Sequence, residues 1–162
     1  MDETNAFVGG WSPSVRLDAA TPHGISQSGL GLRAGRAYTG RVALGGSPGA
    51  KVSVTLVWGP NPGDRQTIPV PALTARYTRV PLRCTPKADT TDGRFEIVGT
   101  GTGSFRIGVA SLMPADNVLG FKAATLRYLK ELGIEIARWP GGNFVSAYDW
   151  RDGLGDRDRR PP

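Results

Sequence analysis

The stretch KVSVTLVW, Lys51 to Trp58, places Val52, Val54, Leu56 and Trp58 on one face and Ser53 and Thr55 on the other. Such alternation marks a half-buried strand, because successive side chains of an extended chain point to opposite faces. The same period recurs on both sides of it. Tyr38, Val42 and Leu44 share a face in AYTGRVAL (37–44), with Gly40 in phase. Val80, Leu82 and Cys84 alternate in TRVPLRC (78–84), Phe95 and Ile97 in RFEIV (94–98), and Phe105, Ile107 and Val109 in SFRIGV (104–109). Turn signals separate these runs: GGSPGA (45–50), GPNPGD (59–64), TDG (91–93) and GTGTG (99–103). Short alternating runs punctuated in this way predict an antiparallel β-sandwich of the jelly-roll kind. Pro81 lacks a backbone donor, so its run is expected at an edge or a bulge.

The texture changes at Met113 and Pro114. In ADNVLGFKAATLRYLKELG, Val118, Phe121, Thr125, Tyr128, Leu129 and Leu132 recur at spacings of three and four, which predicts a helix. Asp116 or Asn117 is expected to cap its start, and Gly133 to supply the left-handed residue after its end. IEIAR (134–138) then reads as a short strand, and WPGGN breaks it. Helix, strand and glycine-rich loop make one step of an α/β fold. No second strand–helix pattern follows. The expectation is therefore a mostly β chain: a sandwich over 1–114, then a helix–strand–loop piece of an incomplete α/β domain over 115–162.

Composition narrows the function classes. The 162 residues carry 20 Lys and Arg against 14 Asp and Glu, a net charge of +6. Sixteen of the cations are arginines, scattered from Arg16 to Arg160. No single element gathers them, so no nucleic-acid partner is expected, although Arg41, Arg79, Arg83, Arg94 and Arg106 fall on the polar phases of their runs. DRDRR (156–160) reads as a solvated, self-paired loop. No apolar run approaches the roughly 20 residues that span a bilayer, so no membrane partner is expected. The opening MDETNAFVGGWSP is acidic and lacks the apolar core of a signal peptide, which leaves cytoplasmic and secreted locations both open. Cys84 and His23 are each the sole residue of their type, which excludes an internal disulfide and a cysteine metal cluster and removes most histidine-based catalysis and most metal sites; no metal and no cofactor is expected.

The chemistry-bearing motif is RWPGGN (138–143). A Pro-Gly-Gly turn lets the backbone leave a sheet sharply, because glycine has no Cβ and tolerates positive φ. It puts Arg138 at the carboxyl end of the expected strand and Asn143 just past it, where open sheets and barrels build their sites. An arginine there fixes a carboxylate, and an asparagine both donates to and accepts from hydroxyls. The plainer alternative pairs Arg138 with Glu135 or an aspartate and leaves Asn143 as a turn cap.

The longer stretch RWPGGNFVSAYDWRDGLGDRDRRPP closely resembles family-51 glycoside hydrolases, the α-L-arabinofuranosidases, around an early barrel strand. The likeness extends upstream through SLMPADNVLGFKAATLRYLKELG, and more faintly through HGISQSGLGLRAGRAYTGRV and FVGGWSP. It implies a jelly-roll module of the carbohydrate-binding type placed before a (β/α)8 barrel. It also implies retaining hydrolysis of terminal α-L-arabinofuranosyl residues in arabinan, arabinoxylan or oligosaccharides, and a homo-oligomeric parent enzyme. By the same resemblance Arg138 and Asn143 line the sugar subsite, whereas Ala147 departs from a frequent glycine. The family's two catalytic glutamates lie on later barrel strands. None of Glu3, Glu96, Glu131 and Glu135 stands in a matching motif, so no catalytic residue is assigned and the chain alone is expected to be inactive. The alternative is a non-catalytic carbohydrate-binding or structural sandwich. Tyr38, Trp58, Phe95 and Phe105 are in phase with the core. Phe7 and Trp11 precede the alternating runs, and Tyr77, out of phase with Val80 and Leu82, is the expected exposed ring.

Overall fold

One strand organises the sandwich. In the computed structural model, which describes residues 1–138 and 141–160, the elements run β1 (Ser14–Asp18), β2 (His23–Leu32), β3 (Tyr38–Gly46), β4 (Ala50–Val57), β5 (Arg65–Pro69), β6 (Thr78–Cys84), β7 (Thr90–Pro114) and α1 (Ala123–Glu131). The first part of β7 lies between β2 and β4, with β5 beyond β4. Its second part lies between β1 and β3, with β6 beyond β3. All pairings are antiparallel. Two four-membered sheets thus share a single 25-residue strand.

The sharing happens at GTGTG. Two sequence runs were expected there with a turn between them; the chain instead passes continuously from one sheet to the other. Gly101 (φ 91°) and Gly103 (φ 89°) supply the bend. At Gly101 a Cβ would collide with the carbonyl of Gly49 on the turn before β4, so this position needs glycine for both conformation and space. The TDG signal is likewise absorbed into β7, where β2 accommodates it with register shifts after Gln27 and Leu30.

The inward faces meet as the alternation requires. Val42, Leu44, Val80, Leu82 and Ile107 come from one sheet, Val52, Val54 and Ile97 from the other, and Phe105 is fully buried just past the crossing. Each such side chain contributes about 1.5–3 kcal/mol on burial. A second cluster joins Leu32, Tyr38, Leu56, Trp58 and Cys84. Burial there pushes the Cys84 thiol above its ordinary pKa. Phe95 is only partly buried, against both clusters. Pro81 sits on β6, which has β3 as its neighbour and lies at the end of its sheet, where a missing donor is tolerated.

The contact pattern divides the chain into Met1–Ala115 and Asp116–Pro162. In the second unit α1 is shorter than its periodicity suggests. Val118 and Phe121 exchange backbone hydrogen bonds of 2.9 Å, with Leu119 (φ 53°) and Gly120 (φ 95°) both left-handed between them. Asn117 closes this tight turn by accepting from the Gly120 N–H at 2.9 Å, so it caps a turn and not the helix. α1 begins only after it, with Lys122 at its N-cap and no side-chain cap. Gly133 (φ 66°) ends it in the expected left-handed conformation. The strand expected over 134–138 does not form. These residues are exposed and join no ladder among the described residues, because a strand needs a neighbour to satisfy its backbone donors and acceptors. The helix–strand–loop piece of a barrel is therefore seen here as helix and loop. Short 3-10 turns follow at Gly142–Ala147, Trp150–Gly153 and Arg157–Arg159.

Candidate functional site

Arg138 ends the exposed stretch after α1, and Asn143 lies in the first 3-10 turn. Trp139 and Pro140, which open the WPGG break, lie outside the described residues. Gly142 does take positive φ, 63°, as a sharp break requires. Asn143 does not cap its turn, since Gly141 holds the N-cap position with no side-chain hydrogen bond. Among the described ion pairs, Arg138 meets neither Glu135 nor an aspartate. Both side chains are presented to solvent.

Three aromatics follow Asn143, of which Phe144 and Trp150 are exposed and Tyr148 is partly buried. Phe144 and Tyr148 stack at 5.3 Å between ring centroids, and the Arg151 guanidinium lies 5.5 Å from the Trp150 ring centre. Asp149 caps the second 3-10 turn by accepting from the Arg151 N–H at 2.9 Å. In DRDRR, Asp156 accepts from the Asp158 N–H, Arg157 donates to the Leu119 carbonyl at 3.0 Å, and Asp158 is buried. The run is a turn capped by its own Asp156 with four of its five residues exposed, as its composition suggests, and Asp158 alone among the five is buried. Val118, Leu126, Leu129 and Ile134 line an open groove of about 580 Å³ beside α1.

In the sandwich, Tyr77 is not the exposed ring that its phase suggests. Its hydroxyl donates to the Asn5 carbonyl at 2.9 Å, Phe7 meets it edge-on at 5.1 Å, and Arg106 lies 5.5 Å from its ring centre. Arg106 also holds Asp2 at 3.3 Å and donates to the Ala75 carbonyl at 2.7 Å. The N-terminal segment, invisible to strand periodicity, covers this tyrosine. Trp11 is the exposed aromatic of the first unit among the described residues. The signal for it was local: two glycines before the ring and a buried serine after it.

Other polar groups are structural. Glu96 pairs with Arg94 at 3.1 Å and Glu131 with Arg127 at 3.6 Å. His23 Nε2 lies 2.9 Å from both Asp18 Oδ2 and Thr21 Oγ1. Both partners share one ring nitrogen, so the imidazole cannot relay a proton from hydroxyl to carboxylate as a catalytic triad does. Backbone donation from Thr21 and Ala20, together with His23, holds the Asp18 carboxyl well below the usual carboxylate range. Among the described residues no three His, Cys, Asp or Glu side chains gather into a cation-holding set.

Known proteins resemble the chain in two separate ways. An intracellular exo-α-(1→5)-L-arabinofuranosidase of Bifidobacterium longum is 50% identical over 48 residues, 30% of this chain and 8% of that protein. Part of this chain is similar to α-L-arabinofuranosidases. An exo-α-(1→6)-L-arabinofuranosidase of the same organism is 55% identical over 42 residues, and a probable α-L-arabinofuranosidase C of Aspergillus terreus is 48% identical over 48. The chain spans 8 to 10% of the length of these arabinofuranosidases. No protein-family model matches it. In fold, a family 16 carbohydrate-binding module aligns with TM-score 0.54 at 15% identity, covering 69% of this chain and 82% of the module. A module solved in complex with β-1,4-galactotriose aligns at 0.51 and 20% identity, covering 69% of this chain and 76% of its own. The shared feature is the antiparallel β fold.

Proposed function

We propose that this chain is part of a retaining α-L-arabinofuranosidase acting on terminal arabinofuranosyl residues of arabinan, arabinoxylan or oligosaccharides. Within it, Arg138 and Asn143 hold the sugar. The observation that carries the reading is 50% identity over 48 residues to an arabinofuranosidase. Among the described residues Arg138 and Asn143 are exposed and Arg138 joins no ion pair, which leaves both side chains open to a ligand. In the completed site the residues at 134–138 belong to a barrel strand, whose neighbours supply the missing ladder. The guanidinium of Arg138 then steadies a carboxylate beside the sugar, and the Asn143 amide donates to one hydroxyl and accepts from another. The two glutamates of a retaining mechanism lie outside this chain.

Release of arabinose from an aryl α-L-arabinofuranoside tests this. Chain 1–162 alone is expected to release none. The same chain continued by the sequence encoded after it is expected to turn over, with Arg138→Ala or Asn143→Ala losing roughly tenfold to a hundredfold in kcat/KM, the worth of a hydrogen bond to a charged or reacting group. Turnover by 1–162 alone that vanishes in Arg138→Ala would refute the division of labour. An inactive longer polypeptide would refute the enzymatic reading.

A second reading, that the sandwich binds carbohydrate without catalysis, is favoured by its likeness to modules of that kind.

A further inference from the structure

We infer that Trp11 is the stacking platform of a glycan site on the sandwich. The inference rests on the second reading above and names its residue and its ligand: one face of a sugar ring in a neutral polysaccharide.

The loop from Asp2 to Ser12 is anchored at several points. Asp2 and Ser12 exchange two backbone hydrogen bonds of 2.9 Å. Ser12 is 2% exposed, and its hydroxyl accepts from the Phe7 N–H at 2.9 Å. Phe7 is buried against Tyr77, whose hydroxyl is tied to the Asn5 carbonyl. The Asp2 carboxylate is held by Arg106. With so many groups fixed inward, the next side chain in sequence is turned outward. Gly9 takes φ 67°, open space surrounds the Cβ position of Gly10, and Trp11 then stands 55% exposed. A large ring presented by a preordered loop gives up little further freedom when a ligand settles on it.

The surroundings choose among ligands. A stable protein interface needs about 800 Å² on each side. Among the described residues of the first unit, the other exposed large apolar side chains are Met1 and Ile25, so Trp11 offers a single ring and not a broad apolar patch. Glu3, Thr4 and Asn5 belong to the same loop, and Glu3 and Trp11 are the first residues on the loop side of the Asp2–Ser12 bridge. A single exposed apolar ring on a loop that also carries Glu3 matches a sugar ring, which has an apolar C–H face and a rim of hydroxyls.

Affinity electrophoresis of chain 1–162 through gels containing arabinan, arabinoxylan or xylan tests the inference. The protein is expected to be retarded by at least one of the three. Trp11→Ala is expected to weaken that binding about tenfold, the order of an aromatic stacking contact. Trp11→Tyr, which restores a ring, is expected to keep most of it, and Ile25→Ala is expected to match the unmodified chain. Circular dichroism of each variant reports folding, and the exposed ring predicts no loss. Equal retardation of Trp11→Ala overturns the Trp11 assignment and leaves carbohydrate binding standing. Absence of retardation in every gel overturns both, while the arabinose-release experiment still decides the enzymatic reading. Concentration-dependent dimerisation that Trp11→Ala abolishes overturns the glycan in favour of a second copy of the chain.

Discussion

Replacing Gly101 by alanine is the most direct test of how the two sheets are joined. The residue has φ 91°, outside the comfortable range of an L side chain, and its Cβ would meet the Gly49 carbonyl. The backbone conformation costs about 1–3 kcal/mol for alanine, and relieving the collision adds about 1–3 kcal/mol, as for other overpacked sites. Gly35 isolates the first cost. It has φ 71°, and nothing lies within 4 Å of its Cβ position, so Gly35→Ala is expected to cost only about 1–2 kcal/mol. Urea unfolding followed by the fluorescence of buried Trp58 measures both variants. The expected order is Gly101→Ala well below Gly35→Ala, which lies below the unmodified chain. Equal midpoints for the two variants would show that the turn before β4 yields freely. The claim that β7 is bent by close contact at this point would then fail.

Tyr77→Ala is expected to lower Tm through loss of the Phe7 edge contact, the Asn5 bond and the Arg106 stacking, by about 1–3 kcal/mol in urea unfolding; an unchanged Tm would return Tyr77 to the list of free surface rings. The Asp18 carboxyl is depressed when folded, so its stabilisation is full above the ordinary carboxylate pKa near 3.8 and is lost as pH falls through the lower folded value. Thermal melts from pH 6 down to pH 2 should therefore show a steeper acid loss in the unmodified chain than in Asp18→Asn, concentrated below about pH 4, and parallel curves over that range would refute the linkage. Limited proteolysis is expected to cut within 116–162 before the sandwich, because Leu119, Phe121, Leu132 and Ile136 lie exposed there and 134–138 has no ladder. Equal protection of the two regions, read by mass spectrometry, would contradict this.

Strands with one face in the core were legible one by one. Val52 to Trp58 and Val80 to Cys84 alternate because one side of each meets the opposite sheet. β1, β2 and β5 were not seen. β2 reads HGISQSGLGL and is mostly exposed, so it has no apolar period, and its strand character comes from pairing with β7. The glycine-rich signals at 91–93 and 99–103 were legible as bends and misleading as turns. Local chemistry permits a turn at such places, and only the neighbours β2, β4 and β1 show that the chain continues through. Tyr77 was misplaced for a related reason: its phase is correct for an outward ring, but a segment 70 residues earlier in the chain covers it.

Arg138 and Asn143 were legible as chemistry, because residue types and a Pro-Gly-Gly break are local facts. Their geometry was not, since a strand at 134–138 exists only when another strand lies beside it. By itself the sequence determined the alternating core and the left-handed glycine after α1, and it carries the residue types of the RWPGGN motif. Each of these depends on a few adjacent residues. Tertiary structure alone decided that one strand serves two sheets and that Tyr77 is covered. Those outcomes are set by long-range contacts, whose partners no local window of residues contains.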